Sequence, residues 1–150
     1  MTPAPQDPFN LERFVEAQSK HYSYALAELR AGKKQTHWIW YVLPQLRGLG
    51  LSSRAVFYGI GSAQEAEAYL RHPVLGPRLR ECVAAMIALD GVDAVQVLGQ
   101  TDAVKFRSCL TLFRWVDPTD AIFGEALDKF FSGKPDDASL ALLSGSKHEA

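Results

Sequence analysis

Most of the short motifs that announce a familiar chemistry are missing from this chain. There is no G-x-x-x-x-G-K-[ST] phosphate loop, no G-x-S-x-G elbow, no H-E-x-x-H, no C-x-x-C and no G-x-G-x-x-G, which excludes the enzyme classes built on those motifs. Cysteine is limited to Cys82 and Cys109, far apart and expected as free thiols within helices. The four histidines, His21, His37, His72 and His148, include no pair four residues apart, which argues against a histidine-built metal site; no metal is expected. Long apolar runs are also lacking. No stretch of about 18 apolar residues occurs, so no conventional membrane-spanning helix is expected. Charge of one sign is not in excess: the net charge is -1 and the pI about 6.4, which argues against broad contact with nucleic acid or anionic lipid. Met1 to Pro8 holds three prolines and no basic segment followed by an apolar one. That composition fits neither a signal peptide nor a membrane anchor, and a cytoplasmic location is expected.

What is present is the usual globular mixture. With 150 residues, 47% hydrophobic and 22% charged, the chain has enough apolar material to bury one core without staples. Apolar residues recur at helical spacing through Leu11, Phe14, Val15, Gln18, Tyr22, Ala25, Leu26 and Leu29, from a cap at Asn10 to a stop at Gly32. The opposite face, with Glu12, Glu16, Lys20 and Arg30, reads as solvated, with Glu16 and Lys20 ordered for an i,i+4 pair. Thr36 is positioned to cap a short buried segment from His37 to Leu43, with a buried strand as the competing assignment. Pro44 to Gly50 reads as a loop and Ser52 to Tyr58 as a helical turn. Ser62 and Glu65 have capping-box spacing and open a helix that His72-Pro73 closes. Further helices are predicted from near Pro73 to Gly91, for one turn from Asp93, from Asp102 to Val116, from a Thr119 cap to Phe131, and from Pro135 onward. No period-2 strand series and no repeat appears. The prediction is an all-α, single orthogonal multi-helix domain of about seven or eight helices over residues 10–143, with a flexible arm at 1–9 and a frayed tail at 144–150.

Two features stand out as sources of chemistry. The run His37-Trp38-Ile39-Trp40-Tyr41, followed by Pro44-Gln45-Leu46-Arg47-Gly48-Leu49-Gly50-Leu51-Ser52, sets two of the three tryptophans beside a glycine-containing, polar loop. Aromatic faces stack on planar ligands, an imidazole exchanges protons near neutral pH, and an arginine with loop N–H groups holds an anion. The plainer alternative makes the tryptophans core, His37 a partner for a helix end and Arg47 solvated. The second feature is Lys105, which 100° steps place on the apolar arc of Leu112, Val116, Cys109, Phe113, Phe106 and Leu110, with Ser108 at its edge. Its ammonium must find a carboxylate, a carbonyl or an anionic ligand, or snorkel to water. Arg30, Lys33 and Lys34 form a basic cluster, either a lure for anions or simply solvated.

The same residues carry a resemblance. Phe14-Val15-Glu16-Ala17-Gln18, Gly32-Lys33, His37-Trp38-Ile39-Trp40, Pro44-Gln45 and Gly48-Leu49-Gly50-Leu51-Ser52 begin it. It continues through Tyr58, Glu65-Ala66, Tyr69-Leu70, His72-Pro73-Val74-Leu75-Gly76 and the unbroken run Asp102 to Phe113. Together these resemble a bacterial family of mainly helical proteins described as a domain of unknown function, with a mycobacterial conserved hypothetical protein beside it. The resemblance implies the helical fold and no particular activity or cofactor. Phe106, Cys109 and Leu110 stand where such proteins often have leucine, serine and methionine, which counts against a required hydroxyl at 109; Ser139 stands for a common threonine. Some members are labelled calpastatin, but calpain inhibitors are disordered repeat chains, unlike this composition.

The expected site is one for a small planar anionic ligand, such as a nucleotide fragment, lined by His37, Trp40, Gln45, Arg47, Ser52, Tyr58, Lys105 and Ser108. If it is catalytic, His37 or Lys105 transfers the proton and Arg47 stabilises negative charge. No reaction or cofactor is implied. The rival expectation is a non-catalytic interaction module or homodimer in which the aromatic stretch is core or interface.

Overall fold

The computed structural model describes residues 7–148, with side chains as far as residue 145. Met1 to Gln6 of the expected arm, and the end of the expected tail, lie outside the described residues. Within them the chain forms α1 (Glu12–Ala31), α2 (Ile39–Val42), α3 (Ser53–Tyr58), α4 (Ala63–Arg71), α5 (Leu75–Ile87), α6 (Ala94–Leu98), α7 (Gln100–Val116), α8 (Ala121–Phe131) and α9 (Asp137–His148). No strand forms among the described residues; Leu46 and Ile60 make one isolated parallel bridge. The second segment is therefore helix rather than strand, though shortened to one turn.

α7 is the central element. It packs on α4, α6, α8 and α9, while α5 joins α1, α4 and α8. Phe106, Cys109, Leu110, Leu112 and Phe113 of α7 are buried, as are Phe14, Trp38, Ile39, Tyr69, Leu75, Leu79 and Phe123, so one continuous core serves the whole described chain. Both cysteines are free and buried. Burial pushes the Cys82 thiol up to about 12 and raises that of Cys109 as well, so neither forms a thiolate near neutral pH. No described helix is long and apolar enough to cross a membrane.

Several local expectations need correction. Asn10 does not cap α1; it takes a positive φ of 54°, and the Asp7 carboxylate reaches forward to accept from Leu11 N (2.7 Å) and Glu12 N (3.0 Å). Asp7 therefore does the capping from within the segment predicted to be a flexible arm. Gly32 closes α1 with φ 78°, the left-handed geometry that favours glycine. Thr36 makes no cap on α2, since its hydroxyl donates to Glu28 (2.7 Å). Asp120 rather than Thr119 caps α8, because Thr119 donates to Asp117. α9 continues past Leu143 to His148, through part of the segment expected to fray.

The Ser62–Glu65 spacing yields only half a capping box. Ser62 Oγ accepts from Glu65 N (3.1 Å), but the Glu65 carboxylate turns inward. One oxygen takes the N–H of Gly61 (2.9 Å) and the other takes Arg13 (2.7 Å). Arg13 carries five N–H donors, and each has an acceptor: Phe57 O (2.8 Å), Phe9 O (2.7 Å), Asn10 O (2.8 Å), Gly59 O (3.1 Å) and Glu65. The two side chains are 5% and 6% exposed. At Gly59 the backbone of Arg47 passes so close that an added Cβ would lie 2.6 Å from its Cα, which only glycine permits.

Removing either end of this pair leaves a buried charge without its counterpart, so Arg13→Ala or Glu65→Ala should each cost about 3–5 kcal/mol. Arg13→Lys should recover little of it, because an ammonium has three donors where five are used. Urea unfolding of the variants measures this; a cost below about 1 kcal/mol would show that the pair is not a structural anchor.

Candidate functional site

A groove of about 830 Å³ opens beside α1. Its first wall is the polar face of α1, where Glu12, Glu16, Lys20 and Tyr24 follow at four-residue intervals, joined by Ala17 and His21. Its second wall comes from Thr36 to Trp38, Tyr41 of α2, and Arg54, Phe57 and Tyr58 of α3. The face of α1 expected to be merely solvated is therefore one side of a cleft, formed because α2 and α3 stand beside it. Among the described residues, no ion pair joins Glu16 to Lys20.

Glu28 shapes the second wall. Its carboxylate accepts from Gln35 N (2.8 Å), Thr36 N (3.0 Å), Thr36 Oγ1 (2.7 Å) and the Trp38 indole (2.9 Å). Partial burial opposes its ionisation, but these donors outweigh it and hold its pKa at about 2. Farther in, the Tyr41 hydroxyl lies 2.8 Å from His21 Nδ1 and 3.3 Å from the His37 carbonyl. Burial first, then the neighbouring Tyr58, raises the pKa of this phenol against the pull of Arg54, so Tyr41 keeps its proton. Tyr41 also packs against Tyr58 with ring centroids 5.1 Å apart.

The eight residues expected to converge are divided. His37 and Tyr58 line the groove. Trp40, Gln45 and Lys105 meet Tyr58 on another side, at a hollow of about 10 Å³, room for no more than one water. Lys105 sits 21% exposed, 3.6 Å from Asp102 and 5.3 Å from the Trp40 ring. Asp102 is shared, since Lys34 binds it at 2.9 Å. Lys34 is no solvated member of a basic cluster: its side chain is only 7% exposed and lies over Trp38. Arg47 spends Nε on Val56 O (3.0 Å) and a terminal nitrogen on Gly59 O (3.0 Å). Ser52 caps α3, accepting from Ala55 N, and buried Ser108 donates to Val104 O (3.2 Å). Sequence reasoning missed Lys20, His21, Tyr24, Arg54 and Phe57 as wall residues. Only the i,i+4 row on α1 signalled any of them.

Among the described residues no group of His, Cys, Asp and Glu is arranged to hold a metal ion.

Residues 8–143 match the family described as "Protein of unknown function (DUF1810)". The chain belongs to that family. The DUF1810 fold is also seen in the crystal structure of the conserved hypothetical protein Rv1873 from Mycobacterium tuberculosis. That protein is 46% identical, with a TM-score of 0.91 over 92% of this chain and 99% of its own. No curated protein matches the chain. Membership thus accounts for the helical architecture and assigns no chemistry to the groove.

Glu28 gives a pH signature for the wall. Its folded pKa lies below the ordinary 4.5, so the stability it contributes is complete above that value and is lost as pH falls toward about 2. The stability gap between wild type and Glu28→Gln should therefore be constant near neutrality and close across that acid window. A gap that is unchanged from pH 6 to about 2.5 would refute the assignment.

Proposed function

We propose that the groove between α1 and the α2–α3 segment binds a small planar ligand bearing an anionic group, of the nucleotide-fragment kind. The observation that carries this reading is the mixture on its walls: the rings of Tyr24, Tyr41, Phe57 and Tyr58 beside Lys20, His21, His37 and Arg54. The volume falls within the range of about 300–1,000 Å³ usual for small-molecule sites. The Tyr41 hydroxyl, engaged with His21 and the His37 carbonyl, fixes one wall, and Arg54 is braced over the Trp40 ring at 5.0 Å. His37 and Tyr58 are kept from the expected set; the charge comes from Lys20 and Arg54 instead of Arg47 and Lys105. No reaction is assigned.

A second reading has its own support. Leu51 is 94% exposed, with Val56 and Phe57 on α3 about half exposed. An apolar ridge of this kind suits an interaction module or homodimer.

The two readings part in a melting experiment with nucleoside monophosphates. A ligand held at one hundred times its Kd stabilises the fold by about 2.7 kcal/mol. That gain should shrink in Arg54→Ala and His37→Ala and persist in Lys105→Met. No gain with any nucleotide, together with a melting temperature that rises with protein concentration, would favour the dimer.

A further inference from the structure

The groove is not uniformly basic, and its acidic half has no use in binding an anion. Along the α1 ridge the order is Glu12, Glu16, Lys20, Tyr24, each step advancing about 6 Å along the helix. Neither Glu12 nor Glu16 has a side-chain partner among the described residues. The nearest cation in sequence, Arg13, is paired with Glu65 and makes no ion pair with either of them. Phe57 belongs to this end, since its carbonyl accepts from Arg13, whose neighbour Phe14 packs on Tyr58. His21 and the His37 backbone meet at the Tyr41 hydroxyl toward the other end, where Arg54 is close enough to act on that phenol and Lys20 precedes His21 on α1.

We propose that the groove selects a dipolar ligand: a planar ring carrying positive charge, joined to a phosphate or similar anion. This rests on the groove reading above and narrows it. A cationic ring gains twice at the acidic end, from the carboxylates and from the face of Phe57, with Tyr58 lying between Phe57 and Tyr41. The anion then reaches Lys20 and Arg54. A polyphosphate long enough to lie across Glu12 and Glu16 meets repulsion there, and a neutral base gains nothing from them.

Nicotinamide mononucleotide and its dihydro form make the test, because they share size and phosphate while only the first has a positively charged ring. Calorimetric titration of the full chain at low ionic strength should show the charged form binding about tenfold tighter. Glu16→Gln should bring the two affinities together by weakening only the charged form. Equal or tighter binding of the dihydro form overturns the inference. If adenosine monophosphate binds and the charged ring brings no advantage, the dipolar proposal fails while the groove reading stands. If none of the three binds, both fail.

Discussion

The described structure depends first on how the guanidinium of Arg13 is satisfied. One side chain gathers the carbonyls of Phe9 and Asn10 ahead of α1, those of Phe57 and Gly59 at the end of α3, and the carboxylate of Glu65 on α4. These segments are joined by loops with little regular hydrogen bonding, and α2 and α3 are too short to hold position by themselves. A buried charge tolerates little departure from its best geometry, since each lost acceptor exposes the desolvation cost. The pair therefore acts as a locating pin, and the width of the groove follows from it: α3 stands where Arg13 holds its carbonyls.

Most of the architecture was legible in the apolar periodicity. α1, α5 and α7 each bury the stripe that their 3.6-residue period marks out, and Gly32 ends α1 as read. The site was less legible, for a reason that lies in the same periodicity. Arg13 falls opposite the apolar stripe of α1, where the pattern says solvent, and it is buried only because α3 and α4 fold over that end of the helix. The groove wall on α1 is hidden for the same reason: a polar face reads alike whether water or a neighbouring segment stands across from it.

Lys105 shows the converse. Its place on the apolar arc of α7 called for a partner or a route to water, and Asp102, one turn earlier, supplies a carboxylate, with Trp40 providing a ring face. What spacing alone could not show is that His37 and Lys105 lie on different sides of the short α2. The aromatic run divides accordingly. Trp38 is core, held by Glu28 and covered by Lys34, while Trp40 lies half-buried beneath Arg54 and Lys105.

The two cysteines have a practical corollary. Cys82 and Cys109 lie inside the core with thiols held protonated by their surroundings, and they are the only cysteines in the chain. Alkylating reagents that need an accessible thiolate should pass them by. A cysteine introduced on the rim of the cleft would thus be the sole address for a fluorophore or spin label, giving a reporter on a native background.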